Sequence, residues 1–421
     1  MKTKNYFGKI SVLCVVLMCL NFCLVSCSDD DNDNVVRPVM YDKHYTAENL
    51  NITFSGNKIV GKDVLFAPDE NNIEKAILTF TGARFDIMGE ITKSGEHNQF
   101  NYRTTSIFAG EPSFSLPIDM KIKGDIGYFE GSGESKYYTF NYSGNVLESE
   151  LNIEFTDVIM KNNPLAGSKW KLQDFVPGES ESDAITAAPI VNVWESEKKI
   201  KMLGIDMGQL LTLAFGMPLI DVENSKEKVS VYQIMGNLLK DVNFANDGGI
   251  AATYVDSKSK QTSVSSPTLA QYVMCDNNIL RLVLNPFEIA KTARENNNGQ
   301  KPDEETLSDI SAFLPMILAN IPAEDLLTDG IPLCYSLNDN KMTVYLNETM
   351  VLPMLKMITP MLQTPESVTA IVDQICEMMN IDTKNAMNTF YISMAKNVLY
   401  DLPGIIDSTT KIQLGLNFVK I

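Results

Sequence analysis

The sequence predicts an α+β protein: a β-rich N-terminal sandwich or barrel domain over residues 45–163, then an antiparallel β-barrel with helices inserted between its hairpins over 164–421. Three observations carry this reading. Apolar and polar residues alternate with period two from about Tyr45 to Met160, the mark of strands with one buried and one wet face. Asn162-Asn163-Pro164 breaks that pattern. Beyond it, strand-turn-strand units alternate with runs of helical spacing.

In the first domain the clearest alternation is Phe114, Leu116, Ile118, Met120 and Ile122, with Leu50, Ile52 and Phe54, Leu78 and Phe80, and Leu151, Ile153 and Phe155 elsewhere. Breaks are expected at Ser55-Gly56-Asn57 and at Gly131-Ser132-Gly133, so roughly eight short strands are expected. Phe54-Ser55-Gly56-Asn57 recurs as Tyr142-Ser143-Gly144-Asn145, each between strand-like runs.

In the second domain Asp247-Gly248 sits between apolar runs, a strong hairpin signal. Two further hairpins resemble each other. One runs from Tyr272 through Asp276-Asn277 to Leu284 and Asn285-Pro286; the other runs from Tyr335 through Asp339-Asn340 to Leu346 and Asn347-Glu348. Each reads as strand, Asp-Asn turn, strand, then an Asn helix cap. Helices are expected over 202–215, 229–239, 306–321, 350–362, 368–379 and 386–399, and a closing strand over 412–418. Met202, Met207, Met217, Met350, Met354, Met357 and Met361 are either ordinary core or the lining of an adaptable cavity.

The extreme N-terminus is an address. Lys2, Lys4 and Lys9 precede an apolar run, residues 10–25, shorter than the about 20 residues a membrane span needs. Basic start and short apolar core predict a secretory signal peptide over 1–26. Leu24-Val25-Ser26-Cys27 resembles a bacterial lipobox. The resemblance implies that Cys27 becomes the acylated first residue, carrying fatty acid such as palmitate. Ser28-Asp29-Asp30-Asp31, continuing to Asn34, begins an acidic linker over 27–44 and resembles the surface-export tag of Bacteroidetes lipoproteins. A solvated spacer is the other reading. A calcium loop would need the glycine and distal Glu that are missing.

A net charge of −18 argues against nucleic acid and anionic lipid surfaces as partners. The chain has two histidines, His44 and His97, expected in exposed loops and without paired-His spacing. Cys275, Cys334 and Cys376 are scattered among apolar neighbours and read as free thiols. No P-loop, dinucleotide fingerprint, GxSxG or CxxC occurs, so neither cofactor, metal nor catalytic residues are expected. Trp194, Tyr128, Phe129, Tyr137 and Tyr138 could stack on sugars or simply fill the core.

Gly167-Ser168-Lys169-Trp170 resembles the opening strand of lipocalins, whose Trp closes one barrel end. The resemblance implies a lipocalin-like antiparallel β-barrel with helices inserted between hairpins. With the lipobox, the acidic tag and the stretch from Gly248 through Ser266-Pro267-Thr268 to Leu284-Asn285-Pro286, the chain is similar to a family of uncharacterised Bacteroidetes surface lipoproteins, a domain of unknown function with calycin-like character. This implies an outer-membrane, lipid-anchored protein at the cell surface. The leading expectation is a non-catalytic binding module for a glycan or apolar small molecule; the alternatives are an accessory subunit with an outer-membrane protein partner, and a hydrolase. Cys27→Ala is predicted to yield a chain with no acyl mass that leaves the membrane fraction of cells making it. Retention equal to wild type would contradict the anchor.

Overall fold

Why the N-terminal strands bury one face is plain in their burial. In Ser113–Lys123, Phe114, Leu116, Ile118 and Met120 are buried while Ser113, Ser115, Pro117, Asp119 and Lys121 are exposed. The computed structural model describes residues 39, 41–86, 101–178, 185, 187–218, 220–221, 228–256, 260–289, 323–378 and 383–421. Among these the protein is β-rich with few helices, in agreement with the expected class. Two compact units form. One takes the described residues up to Lys169 together with Val242–Pro332, and the other takes Trp170–Asp241 and Leu333–Ile421. This division differs from the one expected at residue 163.

In the first unit the strands are β1 (Lys43–Tyr45), β2 (Leu50–Phe54), β3 (Asn57–Ile59), β4 (Lys62–Asp69), β5 (Asn72–Gly82), β6 (Arg84–Asp86), β7 (Asn101–Arg103), β8 (Ser113–Lys123), β9 (Ile126–Glu134), β10 (Tyr138–Val146) and β11 (Leu151–Met160). Nine of them form one sheet in the order β1-β4-β5-β8-β9-β10-β11-β2-β3, and β6 pairs with β7. The sheet is curled. Phe80 of β5 and Phe155 of β11 lie four strands apart in that order, yet their ring centroids are 5.5 Å apart. In a flat sheet four spacings of about 4.8 Å would separate them by roughly 19 Å.

A loop fills the curl. Residues 104–110 carry Ile107, Phe108 and Ala109 at 0% exposure, with Thr104, Thr105 and Ser106 also buried. Phe108 meets the rings of Phe54, Phe114, Tyr138, Phe140 and Phe155. A buried loop must satisfy its own backbone. Here Ser106 and Glu111 donate their amides to Glu111 and Phe108 carbonyls, the Thr105 hydroxyl donates to Phe108 O at 3.1 Å, and buried Lys62 donates Nζ to Thr105 O at 3.0 Å.

Two local sequence expectations need correction. Gly131 and Gly133 are not a break but lie inside β9. A side chain there would collide with the Tyr142 and Phe140 rings of the neighbouring strand, so glycine makes room for aromatics. Tyr142-Ser143-Gly144-Asn145 lies within β10, whereas Ser55-Gly56 turns between β2 and β3 with φ of 48° and 79°; the recurrence has no structural counterpart. Along β11 the inward phase switches from Leu151, Ile153 and Phe155 to Val158 and Met160. The β10–β11 register shifts between Thr139 and Asn141. Asp157 (φ 48°) makes the switch, and its carboxylate accepts from Asn141 Nδ2 at 2.9 Å.

Two tyrosines explain why Val242–Pro332 belongs with this unit. Tyr138 donates its hydroxyl to Tyr272 O at 3.3 Å. Tyr272 donates its own to Ala245 O at 3.0 Å and accepts from Asn163 Nδ2 at 2.8 Å. Burial pushes both phenols up, Tyr138 well above the ordinary value, so both stay protonated donors. The expected turn at Asp247-Gly248 forms, with Gly248 at φ 87° and Asp247 Oδ1 accepting from Gly249 N. Ala270–Cys275 pairs with Ile279–Leu284, and Asn285 Oδ1 accepts from the Phe287 and Glu288 amides as the expected cap.

The second unit has Thr409–Lys420 at its centre. Residues 170–172 and Ile190–Ser196 pair along one edge, and Lys341–Asn347, itself paired with residues 334–338, along the other. Helices Met207–Gly216, Val231–Leu238, Glu348–Ile358, Pro365–Met378 and Ala386–Asp407 follow the expected runs. Ser230 and Gln233 form a capping box that starts the second of these. The last helix was expected to end at Leu399 but continues through Pro403. A helix-interior proline costs about 3 kcal/mol. Leu402, Ile405 and Ile406 are buried with Trp194, Val351, Val368, Val372 and Ile412, and that burial outweighs it. The expected helix over 306–321 lies outside the described residues.

Burial without a counter-charge pushes Lys62 down to about 7 from 10.5. Between those two values the unfolded chain binds more protons than the folded one, so the folded state loses stability as pH falls through that window. Lys62→Met is predicted to be more stable than wild type at pH 7 by a few kcal/mol, less the about 1–3 kcal/mol lost at the Thr105 carbonyl. The advantage should shrink as pH rises to 10, by up to about 1.4 kcal/mol per unit. Urea denaturation of both proteins at pH 7 and 9.5 measures it; a pH-independent difference would contradict a neutral buried amine.

Candidate functional site

Among the described residues a cavity of about 300 Å³ or more lies in each compact unit. The cavity of the second unit, about 320 Å³, lies over Lys341, Met342 and Thr343, Ile190, and Asn417 and Phe418 of the central strand. Ile185, Ala187, Ala188 and Gln173 form one wall, and Thr212 and Tyr232, from two helices, form another. Its volume is near the lower end for small-molecule sites, about 300–1,000 Å³.

Its polar groups are held in place. Asn417 sits in the central strand between two partners: Oδ1 accepts from Thr343 Oγ1 at 2.8 Å, and Nδ2 donates to Ala188 O at 3.1 Å. The Asn417 amide and carbonyl bond Pro189 O and Gln173 N, tying the wall to the strand. The Tyr232 ring packs between Phe175 and Phe215, at 5.2 and 6.1 Å, and its hydroxyl accepts from Asn192 Nδ2 at 3.0 Å. Burial raises the Tyr232 phenol, and hydrogen bonds from Thr212 and Asn192 pull it partly back. Among the described lining residues Lys341 carries the one formal charge, and there is no carboxylate, histidine or cysteine.

The first unit's cavity, about 340 Å³, is polar and charged. Glu111, Lys136, Tyr137, Arg281 and Asp329 line it, with Gly110, Pro112 and Ser113. Glu111, 9% exposed, accepts from Ser135 Oγ at 2.6 Å and Tyr137 N at 3.2 Å through one oxygen. It thereby anchors the end of the buried loop to the β9–β10 turn.

The residues singled out from the sequence fall differently. Cys27, the lipobox residues Leu24, Val25 and Ser26, and the tag residues Ser28, Asp29, Asp30 and Asp31 all lie outside the described residues, as does His97. His44 is exposed in β1, a strand rather than a loop. Of the aromatic candidates, Tyr137 lines a cavity. Tyr138 and Phe129 are core, Tyr128 is exposed on β9, and Trp194 is 6% exposed and donates Nε1 to Thr409 Oγ1 at 2.9 Å. Of the methionine stripe, Met207 is core and Met202, Met217 and Met361 are exposed; none of the seven lines either cavity. The three cysteines are free: Cys376 is buried, Cys275 and Cys334 half-buried, and burial raises the Cys334 thiol. Among the described residues no three His, Cys, Asp or Glu cluster as metal ligands, and no helix is long and apolar enough to cross a membrane.

Asn417, Tyr232, Glu111, Lys136, Arg281 and Asp329 were not singled out beforehand. They are far apart in sequence and share no spacing, so no local pattern marks them. Comparison with known family models, curated proteins and solved structures gives no match.

Proposed function

We propose that this chain is a lipid-anchored envelope protein of the Bacteroidetes surface type, and that its second unit is a non-catalytic binding module for a small neutral glycan. The observation that carries the binding part is the composition of the second-unit cavity. Neutral amides and hydroxyls, from Asn417, Gln173, Thr212, Thr343 and Tyr232, surround the apolar surfaces of Phe418, Met342 and Ile190. Hydroxyl-rich ligands with an apolar ring face need that mixture. General acid–base chemistry needs a group that titrates near neutrality in reach of the ligand, and the described lining offers only Lys341 and the Tyr232 phenol, which burial raises further.

The lipocalin-like reading belongs to the same proposal. Trp170 is 1% exposed in the strand that opens the second unit, directly after Gly167 at φ 62°. Lys420 lies 6.0 Å from its ring. This suits a Trp that shuts one end of a curled sheet while the cavity opens elsewhere. The resemblance of Leu24-Val25-Ser26-Cys27 to a lipobox and the acidic run after it support the reading from the sequence side, since a module anchored in that way would meet extracellular glycans.

The test is thermal melting of the purified full chain with a panel of neutral oligosaccharides, fatty acids and sterols. At least one neutral sugar at about one hundred times its Kd is predicted to stabilise the chain by about 2.7 kcal/mol. Ala187→Trp, which fills the cavity from its wall, is predicted to melt as wild type does and show no shift. The reading fails if only apolar ligands shift the wild type, if nothing does, or if the shift survives in Ala187→Trp.

A further inference from the structure

The charged cavity of the first unit is not used by the glycan reading, and its groups are arranged for a different ligand. Arg281 lies at one side, on Ile279–Leu284, and touches Asp329 through a single nitrogen at 3.4 Å. A guanidinium has five N–H donors in a planar fork, so this long, one-ended contact leaves most of them unspent. The side chain is 33% exposed, open to the cavity yet half-enclosed by it.

Lys136 faces the same space. Its Nζ lies 4.5 Å from the centroid of the Tyr137 ring. Its hydrogen bond to Tyr137 is the chief cause that holds the ammonium above the usual lysine range, so it is a fixed cation at physiological pH. The Tyr137 hydroxyl is also approached by Cys275 Sγ at 3.9 Å, which helps seat the ring. The cavity thus presents two cations with spare donors and an aromatic surface.

Two carboxylates bound what these cations can take. Glu111 is committed to Ser135 and to the Tyr137 amide, and Asp329 is the loose partner of Arg281. The four charged side chains sum to no net charge. A monoanion that displaced Asp329 would gain a bidentate bond to Arg281 and the field of Lys136. A phosphate dianion would bring a second charge against both Glu111 and Asp329. The geometry points to a binding site for a small molecule bearing one carboxylate, gripped by Arg281 and Lys136 with its body against Tyr137.

This proposal stands apart from the glycan reading, since every group belongs to the other unit and Ala187→Trp leaves it untouched. Isothermal titration of the full chain in detergent with acetate, benzoate and glucuronate tests it, with benzamide and glucose as neutral counterparts and inorganic phosphate as the dianion. At least one carboxylate is expected to saturate in the millimolar range or tighter while its neutral counterpart does not. Arg281→Gln is expected to weaken that binding about tenfold or more. Asp329→Asn, which removes the competing carboxylate, is expected to tighten it several-fold, a gain that misfolding cannot imitate. Saturation by no carboxylate, tighter binding of phosphate, indifference to Arg281→Gln, or unchanged or weaker binding in Asp329→Asn would each overturn the assignment.

Discussion

The packing of Phe108 against five aromatic rings is the contact on which the first unit depends. A sheet of nine strands has one apolar face to bury, and no helix among the described residues of β1–β11 is there to cover it. The curl brings the rows of Phe54, Phe80, Phe114, Phe140 and Phe155 toward one axis, and the loop over 104–110 supplies the side chains that fill it. Edge-to-face pairs each add about 0.5–1.5 kcal/mol beyond burial. The loop has few side chains of its own to satisfy, and it spends them on itself. The Lys62 amine is buried against it and donates to the Thr105 carbonyl.

Filling the first sheet from within has a functional consequence. With the interior of the curl occupied by residues 104–110, the proposed carboxylate site lies at its rim, where Glu111 ends the loop beside Lys136 and Arg281. The second unit solves the same burial problem with helices. Trp194, Ile412 and the residues of Glu348–Ile358, Pro365–Met378 and Ala386–Asp407 share one core. The remainder of that sheet is only half-buried along Ile190–Ser196, Lys341–Asn347 and Thr409–Lys420. Half-covered apolar strands beside fixed amides and hydroxyls make an open, mixed surface, which is what a neutral ligand needs.

What the sequence made legible is what depends on near neighbours. Period-two runs such as Phe114 to Met120, the Asp247-Gly248 turn and the two Asp-Asn hairpins are written within a dozen residues. Features set by distant partners were not legible. Thr104 to Gly110 carries no alternation, because its environment is the inside of a curl built by strands far from it in sequence. The switch of inward phase at Asp157 shows only in the pairing of Ile159 with Thr139 and of Thr156 with Asn141. Gly131 and Gly133 read as a turn until Phe140 and Tyr142 show what occupies the space they leave. The last helix runs past the expected end at Leu399 and through Pro403 because of the core around Leu402, Ile405 and Ile406. The two cavities draw on residues as distant as Gly110 and Asp329, or Gln173 and Phe418, and a single sequence has no signal for that.

The internal filling of the first sheet is tested most directly by equilibrium denaturation of Phe108→Ala. Removing a fully buried ring from among five others should cost about 3–5 kcal/mol, whereas Phe390→Ala, whose ring is 59% exposed, should stay within about 0.5 kcal/mol of wild type. If Phe108→Ala is no more destabilising than Phe390→Ala, the loop does not hold the sheet together.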